Sequence, residues 1–316
     1  MNLDVSALKN QLLYALPLSL SFYPMFVELP LSDLPTLLIW PLAFLFGAVL
    51  GSFLNVVIVR LPVMLMRRWR AEALEALEQP MEANPPYNLA TPRSHCPGCG
   101  HFIAWHDNLP LIGWFKRRGR CAACGTSISA QYPLVELVSA LLVMAVIALN
   151  GVGWQSLWLI GACLTLLAMA VIDWRTQLLP DALTLPLLWA GLLYQWLFAP
   201  LMLESAVLGA VAGYLSLWSV YWLFKLTTGK EGMGYGDFKL MAALGAWLGW
   251  QSLPLLLLLS AGVGALVGLL LIASRRQDRD QAMPFGPYIA LAGWIALLVG
   301  KPLLASYQML LLGGWS

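Results

Sequence analysis

Apolar residues fill most of this chain in long unbroken blocks, and polar residues gather in one place. A membrane-spanning helix needs roughly 20 apolar residues to cross about 30 Å of hydrocarbon. Eight segments meet or approach that length, at 34–59, 133–149, 154–172, 183–198, 206–224, 238–250, 253–273 and 285–299. The sixth is the shortest and is rich in glycine. Between the first and second lies the one long polar region, 60–132, in which Glu72, Glu75 and Glu78 recur among alanines and leucines at helical spacing and predict a solvated surface helix over 67–82. No repeat of solenoid period and no low-complexity tract interrupts this arrangement. The pattern predicts an all-α polytopic membrane protein of about eight transmembrane helices, with a polar domain inserted between the first and second.

Composition agrees. Of 316 residues 60% are hydrophobic and 11% charged, with a mean hydropathy of +0.74, whereas a soluble domain carries about 25% charged residues. A water-facing surface for the whole chain cannot be built from this, which excludes a soluble enzyme, a disordered chain and a secreted disulfide scaffold. The medium is membrane lipid, and a net charge of +2 gives no reason to invoke nucleic acid.

Sidedness follows from the basic residues. Of eighteen, nine lie from position 60 to 120, and Arg175, then Lys225, Lys230 and Lys239, then Arg275, Arg276 and Arg279 fall on the same side if there are eight crossings. Only Lys9 and Lys301 remain for the other side. Positive charge marks the cytoplasmic face, so the polar domain is expected in the cytoplasm and both termini on the side away from it. Near the amino terminus, Leu12, Leu13 and Leu16 follow Lys9, but Pro17 and Pro24 break the run and no small-residue cleavage site follows. The expected division is an extracytoplasmic segment at 1–33, a first transmembrane helix at 34–59, a cytoplasmic metal-binding domain at 60–132 and a seven-helix membrane domain at 133–316.

Four of the five cysteines stand in two pairs, Cys96-Pro97-Gly98-Cys99-Gly100 and Cys121-Ala122-Ala123-Cys124-Gly125. Each pair is a tight turn that converges two thiolates, and the following glycine permits the left-handed backbone of a metal knuckle. Four thiolates suit tetrahedral zinc. The 21 residues between the pairs slightly exceed the usual roughly 15–20. Reducible disulfides or redox thiols are the competing reading, which a cytoplasmic setting disfavours. His95, His101 and His106 lie nearby but are not needed to close the metal shell. Cys163, among apolar residues of a span, reads as a buried small side chain.

Carboxylates beside spans call for an explanation, because a charged aspartate at a helix centre costs about 2.5–3.5 kcal/mol on insertion scales. Asp173 ends the third span. Asp181 precedes the fourth, Asp237 closes Gly232-Met233-Gly234-Tyr235-Gly236-Asp237 at the start of the sixth, and Glu136 opens the second. All four fall at the expected cytoplasmic boundary. Asp173 and Asp237 could form a hydrolytic dyad, in which the ionised carboxylate takes a proton from water and the neutral one polarises a peptide carbonyl. The alternative is structural: Asp173 or Asp181 caps a helix or pairs with Arg175, and Asp237 pairs with Lys239. Asp181 suits an N-cap. Asn55 reads as a polar bridge between helices. Gly209, Gly213, Gly262, Gly264 and Gly268 read as close-packing positions.

Gly-x-Gly-Asp with an upstream Ile-Asp at a span end resembles the intramembrane aspartyl proteases. Added to Gly51-Ser52-Phe53-Leu54-Asn55-Val56-Val57-Ile58, Arg60-Leu61-Pro62, the cysteine pairs, Tyr132-Pro133-Leu134-Val135-Glu136 and Pro284-Phe285-Gly286-Pro287, it resembles the bacterial type IV prepilin peptidases from about residue 35 to 300. The resemblance implies a bifunctional inner-membrane enzyme. It would remove leader peptides from type IV prepilins or type II secretion pseudopilins and methylate the new amino terminus with S-adenosylmethionine. It places the catalytic aspartates at Asp173 and Asp237 and the zinc ligands at Cys96, Cys99, Cys121 and Cys124. The methyl-transfer or cofactor-binding site is expected between the zinc domain and the second span, with Glu136 a candidate. No Gly-x-Gly-x-x-Gly cofactor motif supports that second activity. Two other classes compete. A transporter would place its carboxylates near the bilayer midplane, and a zinc-ribbon scaffold would need no aspartate pair.

Overall fold

A computed structural model describes residues 35–80, 85–230, 232–273 and 283–312. The amino-terminal segment at 1–33, and Arg275, Arg276 and Arg279, lie outside the described residues. Among the described residues eight helices longer than ten residues carry the fold: α1 (Thr36–Ala76), α2 (Gln131–Asn150), α3 (Trp154–Thr176), α4 (Asp181–Phe198), α5 (Leu203–Thr228), α6 (Tyr235–Leu248), α7 (Leu253–Ala273) and α8 (Gly286–Leu312). Among the described residues the only β pairing is two isolated bridges, His95 with Phe102 and Arg120 with Ser127.

Among the described residues five segments are long and apolar enough to cross a membrane: Leu37–Ala76, Gln131–Asn150, Trp154–Thr176, Pro200–Thr228 and Trp250–Leu271, with Gly286–Gly300 a shorter apolar stretch. The chain is a multi-pass membrane protein. At 14 residues α6 extends only about 21 Å, yet it is the most enclosed helix. Phe238, Leu240, Met241, Ala243, Leu244 and Ala246 are wholly buried, with α4, α5 and α8 packed around them. Small residues allow this. A Cβ on Gly209 would lie 2.3 Å from the carbonyl oxygen of Gly245, and one on Gly213 2.7 Å from that of Met241, so α5 and α6 touch backbone to backbone. The expected packing role holds for Gly264 and Gly268, which face Tyr288 and Met283, but Gly262 faces open space.

The surface helix expected over 67–82 is not a separate element. α1 runs on for 41 residues to Ala76, and Glu78 already lies beyond it with φ 54°. The change at Arg60 from apolar to charged residues alters the solvent, not the backbone. Met, Arg, Ala, Leu and Glu all sustain a helix, and Pro62 sits inside it. At about 62 Å α1 is twice the hydrocarbon thickness, so its second half projects beyond the bilayer. Arg60, nearly buried, donates to the carbonyls of Asn88, Leu89 and Pro92 at 3.0, 3.3 and 2.6 Å. Arg67 stacks over Tyr87. These contacts fold the polar domain back along the helix.

Candidate active site

Asp173 lies in the last turn of α3 and Asp237 in the first turn of α6. Both are buried, 5% and 7% exposed, and close enough for their charges to interact. Asp237 Oδ2 accepts the Gly234 N–H at 3.2 Å, the third residue of the helix reaching back to its cap. Asp173 Oδ2 accepts the Gly286 N–H at 2.9 Å, from the start of α8. Leu179, in the turn between α3 and α4, wedges between the two sides. A Cβ on Gly236 would lie 2.6 Å from its Cβ, and one on Gly286 would lie 2.6 Å from Asp173 Oδ2 and 3.2 Å from Leu179 Cδ2. Around the start of α6, Tyr221, Tyr235 and Phe238 stack with ring centres 5.4–5.6 Å apart.

The structural alternatives for these carboxylates find other partners. Lys239 donates to both oxygens of Asp181, at 2.6 and 2.7 Å, and not to Asp237. Arg175 donates to Gln131 at 3.0 Å, and not to Asp173. Among the described residues no basic side chain hydrogen-bonds to Asp173 or Asp237, so neither carboxylate is neutralised by an ion pair there. Asp181 is not the N-cap that its sequence position suggests. Pro180 holds that place and Asp181 is the first helical residue, its carboxylate turned to Lys239. The Gly286 N–H was not legible as a site group, although Phe285-Gly286-Pro287 marked a tight entry into α8.

In the polar domain the two cysteine pairs fold alike. Cys96 N–H donates to His101 and Gly100 N–H to Cys96, both at 2.9 Å; Cys121 N–H donates to Thr126 at 2.9 Å and Gly125 N–H to Cys121 at 3.1 Å. Gly100 and Gly125 have φ of 70° and 69°, as such knuckles require. All four sulfurs lie within 4.8 Å of one another, with Cys96–Cys124 at 3.8 Å and Cys99–Cys121 at 3.9 Å. Four ligands about 2.3 Å from a tetrahedral zinc would be about 3.8 Å apart, so the donor set and spacing fit that ion. The histidines stay out of the cluster. His95 bonds to the Arg93 carbonyl, and His106 joins Lys116 and Arg117 around Asp107. The Arg117 guanidinium above all holds the Asp107 carboxyl well below the usual carboxylate range. Cys163 is fully buried in α3, apart from the other four.

Glu136, 7% exposed in the first half of α2, faces α1. Its Oε2 accepts the Leu111 N–H at 2.7 Å, and Asn55 donates to the Tyr132 carbonyl at 3.0 Å, the interhelical bridge expected of it. Four buried polar atoms lack a partner among the described residues: Asn55 Oδ1, Ser139 Oγ, Gln131 Nε2 and Arg117 Nε. They all belong to α1, α2 and the cysteine domain.

Comparison with known proteins joins these two halves. The Bacterial Peptidase A24 N-terminal domain model matches residues 45–149, and the Type IV leader peptidase family model matches residues 158–269. Proteins called prepilin leader peptidase/N-methyltransferase are similar over most of their length. The Aeromonas hydrophila protein is 55% identical over 272 residues, covering 85% of this chain and 94% of the relative. The chain belongs to the type IV leader peptidase family. The Pseudomonas putida protein of the same name is 53% identical over 270 residues, covering 85% and 94%, and that of Burkholderia pseudomallei 48% over 284 residues, covering 89% and 90%. No solved structure matches. Within this family the two model matches divide the chain as its chemistry does, with the cysteine cluster and Glu136 in the first and the two aspartates in the second.

Proposed function

We propose that this membrane enzyme cleaves the leader peptide from type IV prepilins or type II secretion pseudopilins at the cytoplasmic face of the bacterial inner membrane, and then N-methylates the new amino terminus. Asp173 and Asp237 are the catalytic pair. The observation that carries this reading is that two buried carboxylates from different helices, whose charges act on one another, have no basic hydrogen-bond partner among the described residues, while Lys239 is committed to Asp181. Two like charges that act on one another in a buried site favour sharing one proton. The ionised member draws a proton from water as that water attacks the scissile carbonyl, and the protonated member donates to the carbonyl oxygen. The Gly286 N–H fixes Asp173 and the Gly234 N–H fixes Asp237, leaving the other oxygen of each free for water or substrate.

Eight crossings, with the cysteine domain in the cytoplasm and both termini in the periplasm, set this pair at the face where a leader peptide emerges. Cys96, Cys99, Cys121 and Cys124 would hold zinc, which supplies folding energy to a domain with little apolar core. S-adenosylmethionine would supply the methyl group. The unpartnered Asn55 Oδ1 and Ser139 Oγ on the helix faces beside Glu136 fit a polar ligand there. The test is cleavage of a prepilin by the purified protein in detergent, followed by the mass of the released leader. Cleavage at one bond is expected, whereas an intact substrate in the presence of folded, zinc-loaded protein would refute the assignment.

A further inference from the structure

The seam between α1 and α2 is polar where a simple helix contact would be apolar. Gly51 draws the helices together: a Cβ there would lie 2.7 Å from the Glu136 Cα and 2.8 Å from Ser139 Oγ. Ser52 and Asn55 of α1 therefore lie opposite Tyr132, Glu136 and Ser139 of α2. Glu136 accepts from Leu111, which adopts φ 60°, and the Ser52 hydroxyl acts on its charge. Asn55 spends its amide N–H on Tyr132. Two groups then have nothing to bond. Asn55 Oδ1 and Ser139 Oγ are unpartnered, on residues only 3% and 0% exposed.

A buried polar atom without a partner costs about 1–3 kcal/mol, and alanine at position 139 would close the seam without that cost. The groups gathered here are a carboxylate, an amide oxygen and a hydroxyl, all able to accept. Their complement is a small cationic group with several N–H bonds. We propose that this seam binds the free α-amino group of the cleaved substrate and that Glu136 is the proton acceptor in its methylation. The proposal rests on the methyltransferase reading above and assigns a site to it. The α-ammonium gives one proton to the Glu136 carboxylate and becomes an amine. The nitrogen lone pair forms the new N–C bond as the C–S bond of the sulfonium donor breaks, and that electron pair stays on sulfur. The product is a secondary ammonium, whose two N–H bonds match the two free acceptors, Asn55 Oδ1 and Ser139 Oγ. The seam belongs to α1, α2 and the Leu111 loop, so the amine site uses neither carboxylate of the dyad.

The test uses the full chain in detergent, without a methyl donor, and two fluorescent peptides of the mature prepilin amino-terminal sequence, one with a free amine and one acetylated. The wild type should bind the free amine at least about 10-fold more tightly, a difference of about 1.4 kcal/mol. Glu136→Gln should abolish that preference and Ser139→Ala should narrow it, while Asp237→Asn should keep it. Equal binding of both peptides by the wild type, or an undiminished preference in Glu136→Gln, overturns the proposal. If Glu136→Gln loses its zinc or its helical content, Ser139→Ala decides, since it removes an atom without a partner: an unchanged preference there is equally fatal. Methyl incorporation into the free-amine peptide separates the levels. A wild type that transfers no methyl group refutes the methyltransferase reading itself. A wild type that does, matched by Glu136→Gln, refutes only the role of Glu136.

Discussion

Around the four cysteines, glycines serve the backbone. Gly100 and Gly125 take positive φ and have no atom within 4 Å of where a Cβ would sit. Phe102, Trp105, Ile112 and Phe115 point outward, each more than 60% exposed. Around the two aspartates the glycines serve proximity instead. Gly236 and Gly286 admit no Cβ without collision with Leu179 or Asp173, and most residues of the helix carrying Asp237 are buried. One region lacks an apolar core and gathers thiolates, so an ion held by the four cysteines would supply its order. The other is ordered by close packing alone. The two should therefore fail independently, and the following perturbations test that.

The largest effect belongs to the dyad. An amide can neither take a proton from water nor share one, so Asp173→Asn or Asp237→Asn should lower leader cleavage by about 10²–10⁴-fold, the range for general acid–base groups. Zinc content should stay at one per chain by metal analysis. Asp237→Asn should still methylate a prepilin supplied already cleaved. Near-normal cleavage in either variant would dismiss the pair, and loss of zinc would show that the regions are not independent.

Removing metal should give the mirror image. Serine at Cys96, Cys99, Cys121 or Cys124, or a strong chelator, should release zinc and unfold the knuckles. Methylation is expected to fall sharply and cleavage by less than in the aspartate variants, because α6 and its neighbours do not lean on the ion. Parallel assays of metal, methyl transfer and leader release check this. Cleavage lost to the same degree as in Asp237→Asn, with membrane helices intact by circular dichroism, would mean that the zinc domain takes part in proteolysis.

A third variant sharpens the packing half. An alanine at Gly286 would put its Cβ 2.6 Å from Asp173 Oδ2, and one at Gly236 would put it 2.6 Å from the Leu179 Cβ. Something must shift, and displacement of a catalytic group by about 1 Å can cost 10²-fold. Cleavage by Gly286→Ala or Gly236→Ala should drop about 10–100-fold with zinc and methylation unchanged. Gly262→Ala, which meets open space, is the control.

How much of this was legible in the sequence depended on the kind of signal. Metal spacing is local, so the cysteine pairs could be read directly. The candidate aspartates stood out because charge beside a span is expensive. Their surroundings did not. That Lys239 turns to Asp181, and Arg175 to Gln131, is decided by packing between distant segments. The α6 segment looked like the poorest span because hydropathy and length measure contact with lipid, whereas this helix is enclosed by protein. Nor could polarity at Arg60 reveal that α1 continues, since helix propensity persists after hydropathy stops. The Leu111 N–H bond to Glu136 involves a main-chain donor, which no side-chain pattern announces.

The smallest expected effect concerns the acid that the structure sets apart from the other two. Asp181 lies beside the site and carries the same chemistry, but its side chain is 53% exposed and its partner Lys239 33% exposed. An exposed ion pair contributes about 0–1 kcal/mol, because water and salt screen it and two mobile side chains must be held. If that energy acted wholly on turnover, Asp181→Asn would change cleavage by no more than about fivefold. The change should also shrink as ionic strength rises, since surface pairs are screened over about 10 Å at 0.1 M salt. The Asp173 and Asp237 deficits should not respond to salt, because those groups are buried and their loss removes a proton-transfer partner. Measuring kcat/KM for the three variants across a salt series separates the cases. A loss of a hundredfold or more in Asp181→Asn, insensitive to salt, would place Asp181 in the chemistry and turn the pair into a triad.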